Sequence, residues 1–185
     1  KIEVLKNYFL SNEPIDNSWA IYLLTGKSNK RFISGRYLKN LFSQIYEYPQ
    51  WLIDTCYLKV GDSAEVITLL LKNKTTSRKK KLSNISLNEL LSKTIPELSK
   101  LNEEEKNLEI KNLWETLPEE NHLIFNKILT GTFRVGVSIG LITKSISKLV
   151  NIDEEIISHR LMGNFKPSIN SYEFLINKNI NLEEL

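Results

Sequence analysis

Two short loops in this chain hold the residue types that bind anions. Gly26 and Gly131 let the backbone turn sharply after an apolar run. Lys27, Lys30, Arg31 and Arg36 surround the first turn; Arg134 follows the second, where Gly136 leaves the backbone open to close approach. Each loop leads to a serine, Ser34 or Ser138, spaced to cap the next helix. The first N–H groups of such a helix lack intrahelical partners, so with the helix dipole they attract phosphate. A single loop of this kind reads as an ordinary turn with solvated lysines. Two matched loops favour anion binding, because no Asp or Glu lies between Asp16 and Glu47 or between Glu120 and Asp153.

The elements that must position these loops read as helices throughout. Helices are expected over about 1–11, Asn17–Leu24, Ser34–Tyr46, Pro49 to Gly61, and Ser63–Leu71. The basic segment 72–84 reads as a loop. Ser86 and Asn102 open further helices with capping-box spacing. Pro118 opens one that stops at Gly131, Ser138 caps one to Val150, Asp153 caps one ending near Gly163, and the last covers about Ser168–Asn177. The loops belong to an internal repeat: Leu23-Leu24-Thr25-Gly26 answers Ile128-Leu129-Thr130-Gly131, and Leu58-Lys59-Val60-Gly61-Asp62 answers Arg160-Leu161-Met162-Gly163-Asn164. The expected architecture is an all-α domain spanning 1–185. It is built from two pseudo-two-fold related halves, about 14–71 and 118–178, with a basic connector over about 72–101.

Other candidates favour structural roles. Asp62 or Ser63 caps the helix after Gly61, and capping is preferred to catalysis for Asp62. Gly61 and Gly163 can expose adjacent helix N-termini to phosphate. Residues 72–81 carry six basic side chains and no acid, enough that without them the net charge of +3 would turn negative. Such a run contacts duplex backbone or is simply solvated. His122 and His159 lack metal-ligand partners at useful spacing. His159-Arg160 lies near a helix end, which suits a cap or a phosphate contact. Trp19, Trp51 and Trp114 are expected in the core, and the single cysteine, Cys56, is expected to be a buried thiol. It permits no intramolecular disulfide, which suits a cytoplasmic protein. No Walker A sequence, dinucleotide fingerprint or nucleophile elbow occurs. At 41% hydrophobic and 25% charged residues the composition is that of a globular protein, with no apolar run of membrane-spanning length.

Four stretches resemble the N-terminal DNA-binding domain of bacterial ATP-dependent DNA ligases. They are Trp19–Gly26, Val60–Glu65, Leu129–Ser138 (with Phe133-Arg134-Val135-Gly136-Val137-Ser138 the most specific) and His159–Gly163. The resemblance covers about residues 1–178. It implies non-sequence-specific grip on nicked duplex DNA, mainly on phosphates across the minor groove. It carries that role onto Thr25, Gly26, Lys27, Lys30, Arg31, Ser34, Arg36, Gly61, Asp62, Ser63, Thr130, Gly131, Thr132, Arg134, Gly136, Ser138, Gly163 and Asn164. Contacts of this kind position a duplex and do not read its sequence. The family's adenylation signature, Lys-x-Asp-Gly-x-Arg, is missing from these residues. The resemblance therefore implies a parent ligase in which nucleotidyltransferase and OB-fold domains follow, with ATP and magnesium as its cofactors and nick sealing in repair and replication as its task. The chain opens on Lys1 and reads as a fragment starting inside the first helix. No catalytic, cofactor-binding or metal-binding residue is expected in it. The competing expectation is an α-helical protein-interaction module that binds no nucleic acid.

Overall fold

The computed structural model describes residues 1–27, 30–75, 85–133, 136–163 and 165–179. Among these the secondary structure is helical, with no strand. The helices are α1 (Ile2–Ser11), α2 (Pro14–Leu24), α3 (Gly35–Tyr46), α4 (Gln50–Val60), α5 (Ser63–Thr75), α6 (Leu87–Glu89), a π-helical turn (Leu90–Thr94), α7 (Ile95–Leu98), α8 (Glu103–Thr116), a 3-10 turn (Glu119–Asn121), α9 (His122–Thr130), α10 (Ile139–Val150), α11 (Glu154–Met162) and α12 (Ile169–Ile176). None is long and apolar enough to cross a membrane.

Most boundaries follow from short-range capping. Ser34 accepts from the Tyr37 N–H at 3.0 Å, and Ser138 from the Leu141 N–H at 3.3 Å. Asn102 and Glu105 close a full capping box, whereas Ser86 bonds the Glu89 N–H without the return bond. Asp153 occupies its cap position without a side-chain bond. Two expected boundaries move. α2 starts at Pro14 rather than Asn17, because proline's fixed φ and missing N–H suit a first turn. α5 runs on to Thr75, since lysine is a good helix former and Lys72 and Lys74 stand where the helix dipole favours positive charge. The rest of the basic run, 76–84, lies outside the described residues.

The chain divides into two compact units, one comprising Lys1–Ser28 and Arg134–Leu185, the other Asn29–Phe133. These units do not follow the sequence halves. The first takes α2 from one half and packs it with α10, α11 and α12 from the other. The second takes α9 and packs it with α3, α4 and α5. The packing partners correspond: α2 lies on α12 as α9 lies on α5, and α10 lies on α11 as α3 lies on α4. Each unit thus combines the helix before one Thr-Gly turn with the three helices after the other.

In each unit the exchanged helix is the most enclosed. α9 buries Phe125, Ile128 and Leu129 with His122, Asn126, Lys127 and Thr130; α2 buries Ala20, Ile21 and Leu23 with Asn17 and Ser18. A helix enclosed on most sides must satisfy its polar groups internally. Trp114 donates to Asn126 Oδ1 at 2.8 Å, and Asn126 donates to Thr68 Oγ1 at 3.0 Å. That chain of bonds ties α8, α9 and α5. Different elements brace the two units. α1 packs along α10 in the first. In the second, Tyr37 on α3 donates to Asn107 on α8, and Phe42 meets the Trp114 ring edge-on at 6.0 Å.

Trp114 is fully buried, as its spacing suggests, and Trp19 is half-buried beside Tyr22. Trp51 is not in the core: it is 69% exposed on α4, sharing a face with Leu58 at 82%. Cys56 on the same helix is half-buried rather than enclosed.

Candidate functional site

Both Thr-Gly turns have the same backbone. The Gly26 N–H donates to the Leu23 carbonyl and the Lys27 N–H to the Tyr22 carbonyl. The Gly131 N–H donates to the Ile128 carbonyl and the Thr132 N–H to the Lys127 carbonyl. These are paired Schellman closures, with the glycines in the left-handed region at φ 71° and 64°. The threonine before each glycine folds back alike: Thr25 Oγ1 donates to the Ile21 carbonyl at 2.8 Å, and Thr130 Oγ1 to the Asn126 carbonyl at 2.9 Å. The correspondence continues into the next helices. α3 ends at Glu47 and α10 at Asn151, both left-handed, at φ 57° and 55°.

In the Asn29–Phe133 unit several helix ends meet. The Phe32 and Ile33 N–H groups both donate to the Leu129 carbonyl at 3.0 Å, which lays the first loop against the end of α9. A Cβ on Gly131 would fall 3.1 Å from the Arg31 Cα and 3.2 Å from the Lys30 carbonyl oxygen. Gly131 is therefore needed for close approach as well as for its φ. Gly35 brings the N-termini of α3 and α5 together, since a Cβ there would sit 2.6 Å from Ser63 Oγ. Lys30, Arg31, Ser34 and Arg36 are exposed around this region. The starts of α3 and α5 thus meet, with three exposed cations on the loop before α3 and in its first turn.

Asp62 is built into the frame. Its Oδ1 accepts from the Ala64 and Glu65 N–H groups at 2.9 and 3.1 Å, the expected cap of α5. Its Oδ2 pairs with Lys127 at 2.7 Å. Burial works to raise this carboxyl's pKa, but the Lys127 ammonium and the two N–H donors outweigh it and hold the pKa below the usual value. Gly61 ends α4 in the left-handed region, its N–H donating to the Tyr57 carbonyl at 2.7 Å.

In the other unit Lys27 is turned inward. Its ammonium donates to the Leu161 carbonyl at 3.1 Å and the Gly163 carbonyl at 2.6 Å, closing the end of α11. Gly163 has an ordinary φ of −66°. Gly136 is left-handed and exposed, and its carbonyl accepts from Lys1 at 3.1 Å. Arg134 and Asn164 lie outside the described residues. The buried Arg160 guanidinium donates to the Phe174, Leu175 and Asn177 carbonyls at 2.8–3.1 Å, so it caps α12.

Sequence reasoning missed Lys127, Asn126 and Gly35. A lysine and an asparagine inside the apolar run Phe125–Leu129 were the available signal for the first two. Among the described residues no group of three His, Cys, Asp or Glu side chains is placed to hold a metal ion.

Among known proteins, a search of curated sequences returns no match. A family model described as the DNA ligase N terminus matches residues 1–159. That span takes in both matched turns and both serine caps, and stops before α12. With most of its length fitted in this way, the chain belongs to the DNA ligase N-terminal family.

Proposed function

We propose that this chain is the duplex-binding part of an ATP-dependent DNA ligase and grips the phosphate backbone on either side of a nick, across the minor groove. The observation that carries this reading is the pair of turns. Each has the same Schellman closure and leads to a serine-capped helix, in a stretch without acids. The N-termini of α3 and α10, where first-turn N–H groups lack intrahelical partners, suit phosphate oxygens. Exposed Lys30, Arg31 and Arg36 supply charge to the first loop, and Arg134 to the second. Such contacts take hold of many sequences alike.

The parent's chemistry lies outside this chain. Lysine adenylation by ATP with magnesium needs the Lys-x-Asp-Gly-x-Arg signature, which these residues lack. Incubated with ATP and magnesium, the isolated chain should show no added AMP in its mass spectrum and seal no nick.

The direct test is titration of nicked duplexes of several sequences over a range of salt. Affinity should be similar across sequences and fall steeply with salt. Arg134→Ala should weaken all of them about equally with its melting temperature unchanged, and Arg134→Lys should restore part of the loss, because a point charge lacks the guanidinium fork. Wild-type affinity in Arg134→Ala would remove that loop from the surface. One observation favours a second reading: Trp51 and Leu58 form an exposed apolar stripe on α4. A protein partner there would bind with little dependence on salt.

A further inference from the structure

The two units use unrelated lysines for the same mechanical task. In one, Lys127 leaves the last turn of α9 and pairs with Asp62, the cap of α5, at 2.7 Å. In the other, Lys27 follows the end of α2 and takes the Leu161 and Gly163 carbonyls at the end of α11. Counted from the glycines, these lysines are not repeat equivalents: Lys127 answers Tyr22, and Lys27 answers Thr132. What recurs is the tie from the Thr-Gly helix to the region of Gly61-Asp62 or of Gly163. Lys127 is 10% exposed at its side chain, and Lys27 is half-buried above the Phe165 ring. Each ammonium is engaged within its own unit, Lys127 by the Asp62 carboxylate and Lys27 by two carbonyls.

We propose that Lys27 and Lys127 are positioning residues for duplex binding, holding the helix ends beside each Thr-Gly turn in register rather than meeting phosphate themselves. This rests on the duplex-binding reading above. A tie of this kind sets where the backbone N–H groups stand. In the Asn29–Phe133 unit the start of α5 is held on one side by the Gly35–Ser63 approach and on another by Lys127. Releasing Lys127 leaves the cap bonds of Asp62 and the Asn126–Thr68 bond further along, but removes the ion pair that fixes the start of α5 against the end of α9.

Asp62 gives the sharpest test, because charge and position predict opposite signs. Removing a carboxylate beside a phosphate-binding surface should tighten binding if only its charge mattered. Asp62→Asn keeps an oxygen to accept the Ala64 and Glu65 N–H groups but loses the ion pair, so under the positioning role it weakens binding. The measurement is titration of nicked duplex at several salt concentrations, with circular dichroism confirming that each variant is folded at the assay temperature. Asp62→Asn, Lys127→Gln and Lys27→Gln should each weaken binding roughly two- to fivefold, the scale of a partly exposed charged contact, and keep the salt slope of the unaltered chain. Arg36→Ala, the phosphate-contact reference, should instead flatten that slope by about 0.9. Lys127→Arg, able to remake the pair, should bind as the unaltered chain does. Tighter binding by Asp62→Asn, unchanged affinity in the lysine variants, or a slope that flattens in them would each overturn the positioning role. Failure of the unaltered chain to bind duplex at all would instead overturn the duplex-binding reading beneath it.

Discussion

At the end of α2 and at the end of α9 the backbone hydrogen bonds match residue for residue, while the side chains behind them differ. Counted back from Gly26 and Gly131, Ile21 and Asn126 share a position, as do Asn17 and His122. All four are buried. One unit fills the first position with an apolar side chain, and the other uses it as the centre of a hydrogen-bond chain from Trp114 to Thr68. The difference separates what the turn requires from what each core happens to use. The turn requires glycine, threonine and a capped helix; the core behind it tolerates either solution if its polar groups are satisfied.

The largest expected effect comes from breaking that polar chain. Asn126→Ala leaves the Trp114 indole N–H without its acceptor and opens a cavity, and should cost about 2–4 kcal/mol. Replacing the whole set at once, with Asn126→Ile (the other unit's choice), Trp114→Phe and Thr68→Val, should cost less than the single change. Thermal or urea melts decide. If the triple variant proves less stable than Asn126→Ala, the two cores are not interchangeable solutions.

A smaller effect separates the two glycines. Gly26→Ala meets only the cost of a left-handed alanine, about 1–2 kcal/mol, because no atom lies within 4 Å of its new Cβ. Gly131→Ala meets that cost and also the Arg31 and Lys30 backbone at 3.1–3.2 Å. It should therefore melt lower than Gly26→Ala and disturb the first loop as well. Equal melting temperatures would show that the loop gives way freely.

What could be read in the sequence was local. Ser34, Ser138, Asn102, Gly26 and Gly131 announce helix ends through bonds that span a few residues, so the helices and the matched turns were legible. Which helix packs on which was not, because exchange of α2 and α9 between the repeat halves is a long-range choice that leaves each helix's own pattern intact. α4 shows another limit. Trp51, Leu52, Ile53, Cys56, Tyr57, Leu58 and Val60 put apolar groups all round it, so periodicity could not say that Ile53 faces in and Trp51 out. The cations divide in the same way. Lys30, Arg31 and Arg36 are exposed as expected, while Lys27 and Lys127 are spent on the frame, a distinction that only the neighbouring carbonyls and Asp62 reveal.

The smallest expected effect concerns the second shared position, where one unit holds Asn17 and the other a titratable group. His122 is fully buried, and neither ring nitrogen has a partner at hydrogen-bonding geometry. Burial pushes its pKa below the usual 6.5; the backbone of Leu117 and Trp114 and the charges of Glu119 and Glu120 oppose that push without overcoming it. The folded state thus takes up a proton less readily than the unfolded chain. Stability is fully present above the unfolded value of 6.5 and declines as the pH falls through it toward the lower folded value. Asn17 adds no such dependence to the first unit. His122→Asn, which imports that residue, should therefore flatten the fall in melting temperature between about pH 7 and 5, whatever it does to stability at neutral pH. Only the slope is diagnostic, since asparagine also changes volume and hydrogen bonding. An undiminished slope in His122→Asn would mean that the acid sensitivity arises elsewhere. A slope that steepens would mean that the protonated ring is stabilised by Glu119 and Glu120 more than burial disfavours it.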